Sequence, residues 1–289
     1  MSAKTTPPPP PRSFTIRVPA TSANIGPGFD VVGLSLSLAL TITVTVPTPT
    51  SLSDYPSTSY VPPTLAYTGE GADEVPLDPY KNLTTRVAIY VLRSHRLSRF
   101  PSHVHINVHN EIPFGRGLGS SGAAVIAGVL LANELGQLGL SNERMLDFAL
   151  MVERHPDNVT AALIGGFVGS YLRELDKAAT EAASVPLSEV LPEYPPDAGE
   201  NWGLDPPLPP IGIGHYIRFG WCTDIKAVAI IPRFELSTAR AREVLPSHYS
   251  RKDLVRLSLP CHGSLRMTCP GIQPTTTCRV DNSPRSVPP

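Results

Sequence analysis

What this sequence lacks first is an excess of charge of either sign. Its 24 Lys and Arg face 25 Asp and Glu, for a formal net charge of −1 over 289 residues. That balance gives no field to draw in nucleic acid or an anionic membrane surface. Long apolar runs are missing too, and none reaches the roughly 20 residues of a membrane span. The N-terminus is polar and then proline-rich, without the apolar segment of an export signal. Cysteine is scarce: Cys222, Cys261, Cys269 and Cys278, with no C-x-x-C spacing to suggest zinc. Without an export signal these read as free thiols in a cytoplasmic protein. The N-x-T tripeptides at Asn82 and Asn158 then read as unused glycosylation patterns.

Proline is abundant instead. The 33 prolines are about twice the average frequency. They gather at the N-terminus, at 47–63, at 186–210 and at the end, which predicts a core carrying long irregular insertions. Residues 1–12 are expected to form a disordered leader. An apolar fraction of 41% is enough for a core.

The stretch from Glu111 to Leu135, EIPFGRGLGSSGAAVIAGVLLANEL, is the richest in chemical signal. Gly115, Gly117 and Gly119 precede Ser120, Ser121 and an unbroken small and apolar run. The pattern predicts a buried helix with Ser120 or Ser121 as its N-cap. Loop amides and the positive end of the helix dipole would converge on one point, where phosphate is the natural guest. No Lys follows the last glycine, so this is not a Walker A loop, and the spacing is not the dinucleotide fingerprint. A purely structural glycine turn before a core helix is the competing reading.

Two further clusters stand out. The first is a small, polar loop from Ala20 to Gly28, which Asn24 and Asp30 bracket. It should follow a strand at Phe14–Val18 and precede two strands, Val31–Leu36 and Leu40–Val46. It either binds a polar ligand or closes as an Asx turn. The second cluster is Glu153, His155, Asp157 and Asn158, just past a helix over 142–153 that Ser141 should cap. Pro156 should stop that helix, and Asp157 should cap the next, Asn158–Ile164. Gly165-Gly166 then turns into a strand, Phe167–Leu172. Glu153 is a hard oxygen ligand suited to Mg²⁺; a cap-rich helical turn is the plainer alternative. His103, His105 and His109 flank a strand at Val104–Val108 and read as a solvated face, since no carboxylate or Cys accompanies them. The remaining elements expected are a strand at Thr64–Gly69, a helix at Asn82–Arg93, a short helix within Leu175–Val185, and strands at His215–Trp221 and Lys226–Ile231.

PFGRGLGSSGAA resembles the central phosphate loop of the GHMP kinase superfamily. SANIGPGFDVVGLSLSL, ERHPDN followed by VTAALIGGFVGSYL, and FELSTARAREVLP (Phe234 to Pro246) are similar to its homoserine kinase family. The resemblance spans roughly Phe14 to Val255. It implies an α+β fold in two lobes: an N-terminal lobe with a left-handed, ribosomal-protein-like β-α-β unit, and a ferredoxin-like C-terminal lobe, incomplete here. The corresponding divisions are an ATP-binding domain at 13–172, an insertion at 173–210, a partial C-terminal domain at 211–255 and an irregular tail at 256–289.

The activity implied is ATP-dependent phosphorylation of L-homoserine to O-phospho-L-homoserine, for threonine biosynthesis. Pro113, Phe114, Gly115, Arg116, Gly117, Leu118, Gly119, Ser120 and Ser121 would wrap the ATP phosphates. Ser121 and Glu153 would hold Mg²⁺. Asn24, Asp30, His155, Asn158, Thr238 and Arg242 would surround homoserine. Among them Asp30 would meet the ammonium, Arg242 would clamp the carboxylate through its guanidinium fork, and Asn158 would bind the attacking hydroxyl. Asn158 and Glu153 are thus the expected catalytic residues, and no Asp base is expected. The partner implied is a small molecule, not nucleic acid or membrane, and a homodimer is left open.

After Val255 the chain departs from the family. RLSLPCHGSLRMTCPGIQPTTTCRVDNSPRSVPP has no helical or strand period, no third glycine-rich motif and no second arginine for the carboxylate. It resembles an out-of-frame or mis-spliced tail. That raises an alternative expectation: a truncated, catalytically impaired product of the same family that at most binds nucleotide.

Overall fold

Residues 12–25, 28–47, 60–192, 203–222, 224–226, 228, 230–231, 248 and 250 are described by a computed structural model of the chain. Alternating apolar residues build a long hairpin at its start. Strand β1 (Arg12–Ala23) runs antiparallel to β2 (Val32–Val46), from Arg12 opposite Val46 to Ala23 opposite Gly33, with a register shift between Pro19 and Thr21. Two expectations are corrected here. The strand expected to end at Val18 continues to Ala23, into the first part of the predicted loop, and the two strands expected after Asp30 are one. Small polar residues argue for a loop only when the backbone has no partner. Thr21 and Ser22 find theirs opposite Ser35 and Leu34, so pairing overrides composition.

β3 (Thr64–Gly69), α1 (Leu83–Ser94) and β4 (His105–Asn110) form a β-α-β unit whose strands are parallel. Asn82 starts α1 by accepting from the Thr84 N–H. Ile106 and Val108 of β4 are buried, while His105, Asn107 and His109 face outward. His105 and His109 meet the hydroxyls of Thr64 and Thr68 at 2.7 and 3.1 Å, as a polar strand face would. His103 lies before the strand, at φ 61°.

One half of β2, Leu40–Thr45, pairs with β4, and its other end, Val32–Leu34, pairs with β5 (Phe167–Leu172). β6 (Gly214–Phe219) extends the sheet beyond β5, giving the order β3-β4-β2-β5-β6 with β1 on the remaining side of β2. The class is α+β.

Helices α2 (Ser120–Gly136), α3 (Asn142–Glu153) and α4 (Pro156–Ile164) complete the core. α2 is apolar on every side and correspondingly buried. Val125, Ile126, Val129 and Leu131 are fully enclosed, each stabilising by about 1.5–3 kcal/mol. α1 crosses α2 at Gly128, where a Cβ would lie 2.4 Å from the Thr84 carbonyl oxygen. α4 meets β2 at Gly33, where a Cβ would lie 2.3 Å from the Asp157 carbonyl oxygen. The first packs the middle of α2 on the start of α1, and the second holds the start of α4 against the sheet.

The segment after β5 forms α5 (Lys177–Ala183), within the predicted helical stretch, and a single turn, α6 (Leu187–Val190). Contacts divide the chain into two units. Met1–Trp221 with Ala227–Ser247 carries all the elements above. In the second, Cys222–Lys226 with His248–Pro289, the described residues contribute a turn closed by the Ile225 N–H and the Cys222 carbonyl. Cys222 forms no disulfide among the described residues; the other three cysteines lie outside them. So do Thr238, Arg242 and most of the C-terminal lobe that the resemblance implies. The strand expected at Lys226–Ile231 falls only partly within them. No described helix is long and apolar enough to cross a membrane.

Candidate active site

The glycine-rich loop reaches α2 through a residue that only glycine suits. Gly119 occupies the N-cap position at φ 65° and ψ 32°, with no side-chain cap. A Cβ there would lie 2.0 Å from Thr21 Oγ1 and 2.9 Å from Asn158 Oδ1. The expectation that Ser120 or Ser121 caps the helix is therefore corrected: both are its first residues. The left-handed turn at Gly119 delivers the chain directly into the helix, which leaves the serine hydroxyls for other work. The first N–H groups of a helix have no intrahelical partner, and here no side chain caps them. The positive end of α2 is thus open to an anion.

The loop itself is anchored at two points. The Phe114 ring packs on Gly71, where a Cβ would come within 1.9 Å of it. Leu118 is buried and accepts the Thr21 N–H at 3.0 Å. Arg116 carries a buried Nε with no partner among the described residues. Pro113, Gly115 and Gly117 complete the path, the two glycines at positive φ.

Ser121 Oγ donates to Glu153 Oε1, joining the first turn of α2 to the last residue of α3. Glu153 Oε2 lies 3.4 Å from His155 Nε2, and His155 Nδ1 lies 3.0 Å from Asp157 Oδ1. Asp157 Oδ1 also accepts the Asn158 N–H at 2.8 Å. The sequence reading of Asp157 as a helix cap is corrected. α4 starts at Pro156, with His155 in the cap position and Asp157 inside the first turn. Proline suits the first helical position, where no N–H is needed, so Pro156 opens this helix. The preceding one ends at Arg154, in left-handed geometry. Asp157 is fully buried, and its Oδ2 has no partner among the described residues.

Asn158 Oδ1 accepts from Thr21 Oγ1 at 2.7 Å, tying α4 to β1. Asn24 Oδ1 accepts the Asp30 N–H at 2.8 Å, the Asx-type closure weighed for this loop. Both residues are left-handed, at φ 58° and 55°. Asp30, His155 and Asp157 each offer an atom within 4.8 Å of the others. The His155 imidazole therefore sits among three carboxylates. Its pKa is raised, chiefly by the hydrogen bond to Asp157, against burial, and further by the charges of Glu153, Asp157 and Asp30.

Asn24, Asp30, Ser121, Glu153, His155 and Asn158 thus lie together beside the loop from Pro113 to Gly119. Thr21 and Arg154 were not singled out from the sequence. Thr21 looked like one more small polar residue of a loop, and Arg154 like the spacer of ERHPDN.

An uncapped, glycine-led helix start thus lies next to a Ser–Glu oxygen pair and an acidic pocket. The family model for the GHMP kinase N-terminal domain matches residues 82–166. The homoserine kinase of Saccharomyces cerevisiae is 54% identical over 248 residues, covering 84% of this chain and 68% of that protein. The homoserine kinase of Schizosaccharomyces pombe is 47% identical over 244 residues, covering 84% and 66%. In fold, the crystal structure of homoserine kinase from Cytophaga hutchinsonii aligns with a TM-score of 0.56 at 23% identity, over 87% of this chain and 65% of that one. The chain belongs to the homoserine kinase family, and it spans about two thirds of the length of these relatives.

Proposed function

We propose that the protein transfers the γ-phosphoryl group of ATP to the side-chain hydroxyl of L-homoserine, giving O-phospho-L-homoserine, the precursor for threonine synthesis, and ADP. The observation that carries this reading is the Ser121–Glu153 contact at the open start of α2, flanked by Asp30, His155 and Asp157. The 54% identity over most of the chain favours a working kinase over an impaired product of the same family.

The loop from Pro113 to Ser121 offers backbone donors to the triphosphate. Ser121 Oγ and Glu153 Oε1 are hard oxygens already in contact, and so fit Mg²⁺, which favours such ligands. Bound there, the ion would neutralise phosphate charge. Asp30 supplies negative charge for the substrate ammonium, and Asn158, held by Thr21, orients the hydroxyl. The hydroxyl oxygen attacks the γ-phosphorus, the bond to the bridging oxygen of ADP breaks, and the proton leaves to a phosphate oxygen or water. Positioning and electrostatics supply most of the rate in such transfers. Thr238 and Arg242 complete the assignment from the family motif, with Arg242 on the carboxylate. Residues 13–172 would form the ATP-binding domain, with 211–255 contributing the substrate clamp.

The test is ADP release by the folded protein with homoserine, with mevalonate and with no acceptor. Release that depends on homoserine is expected. Release indifferent to homoserine overturns the reading.

A further inference from the structure

Arg154 adopts a conformation that its residue type rarely takes. It ends α3 at φ 66° and ψ −7°, with its N–H on the Leu150 carbonyl. Glycine holds this geometry without strain, whereas a side chain does not. A strained residue persists when its surroundings fix it, and here they do. The guanidinium reaches across to the segment after β5, where Nη1 donates to the Ala183 carbonyl at 2.6 Å and Nη2 donates to the Val185 carbonyl. Those carbonyls close the C-terminal end of α5, where a cation is favoured.

Apart from this tether, α5 is held through Ala183 at its end and Leu175 and Val185 beside it, which pack against the core. It buries no residue. A cavity of about 260 Å³, lined by Leu150, Arg154, Leu172, Leu175, Ala183 and Ile213, lies beneath it. The guanidinium therefore spans a loosely filled gap. The neighbours of Arg154 in sequence are Glu153 and His155, whose side chains meet at 3.4 Å in the site.

We propose that Arg154 is a positioning residue for phosphoryl transfer, and that the Ala183–Val185 turn is its fixed anchor. Clamped at both ends, the 153–158 segment holds Glu153 against Ser121 and aims His155 and Asn158 into the pocket. The 173–210 insertion is thereby a working part of the site. The inference rests on the kinase reading above for its activity readout, and its structural readout is independent of that reading.

Two variants test it. Arg154→Gly removes both the tether and the strain. Deletion of Ser184 leaves Arg154 in place and moves one of its two carbonyls out of reach. In each, kcat for homoserine-dependent ADP release should fall by about tenfold and half-saturating Mg²⁺ should rise, because the ligand set is loosened. The thermal midpoint of Arg154→Gly should be unchanged or higher, since glycine accepts the left-handed geometry. In hydrogen exchange, the amides of 153–158 should open about tenfold faster in both variants. Combining the two changes should add little to either alone, as for two halves of one interaction. Wild-type kcat in Arg154→Gly, or a kcat loss matched by a lowered midpoint, overturns the proposal. If the wild-type protein itself releases no homoserine-dependent ADP, the kinase reading fails, and exchange alone decides: unchanged protection at 153–158 then overturns the tether.

Discussion

Ser121 and Glu153 stand 32 residues apart in the chain and share a hydrogen bond, the hydroxyl donating to the carboxylate. The contact closes the corner between the start of α2 and the end of α3. It places an anionic oxygen beside the positive end of a buried helix, an arrangement that a divalent cation would complete.

Ser121→Ala and Glu153→Ala should each lower Mg·ATP turnover by about 10²–10³-fold, the loss typical of removing one preorganised charge-stabilising group. Ser121 is exposed and Glu153 only partly buried, so both variants should keep the far-UV spectrum of the wild type. Steady-state ADP release against Mg²⁺ concentration makes the measurement. Wild-type rates in either variant refute the assignment.

Gly119→Ala should cost about 1–3 kcal/mol, from the left-handed backbone it would have to keep. It should also cut turnover, since the new methyl would press on Thr21 Oγ1 and separate it from Asn158. Urea unfolding and kcat together read both effects. Gly117→Ala, where the added Cβ meets nothing within 4 Å, is the control for backbone strain in the unfolding measurement.

Asp147 offers a stability test away from the pocket. It is buried, accepts the Gly212 and Ile213 N–H groups at 2.9 and 2.8 Å, and pairs with Arg144 at 3.2 Å. Asp147→Ala strands these donors and should destabilise by about 3–5 kcal/mol, as breaking a buried charged network does. The urea midpoint should drop while fluorescent-nucleotide binding at temperatures below unfolding persists.

His155 makes the stability of the metal-free protein depend on pH. Its folded pKa is raised above the ordinary 6.5, first by Asp157 and then by Glu153 and Asp30. The raised value means the folded state binds the proton more tightly. The stabilisation is therefore complete below pH 6.5 and fades as pH climbs through the folded pKa. Thermal midpoints of wild type and His155→Gln, measured in chelator from pH 6 upward, should converge as the pH rises. Parallel curves would contradict this.

The residues that make the site legible in the sequence are those whose chemistry is local. Gly115, Gly117 and Gly119 need positive φ and are glycines; Ser141 caps α3 as its position suggests. β3, α1 and β5 follow from alternation, helical spacing and a Gly-Gly turn. The failures came where a distant partner decided. Thr21 and Ser22 read as loop because they are small and polar, and only their pairing with Ser35 and Leu34 across the hairpin makes them strand. Asp157 was read as a cap because it follows proline, yet proline serves as the first helical residue and His155 takes the cap position. Arg154 gave no local signal, because the carbonyls that restrain it belong to a segment about 30 residues onward.

The Thr21–Asn158 hydrogen bond joins residues 137 positions apart. During synthesis at about 5–20 residues per second, the earlier residue waits on the order of 7–30 s for the later one to be made. Until then the first hairpin can be complete along its edge while the catalytic end stays unassembled. A nascent chain halted before residue 158 would thus carry the first hairpin without the α4 wall of the pocket, so that side of the site can close only late in the protein's maturation.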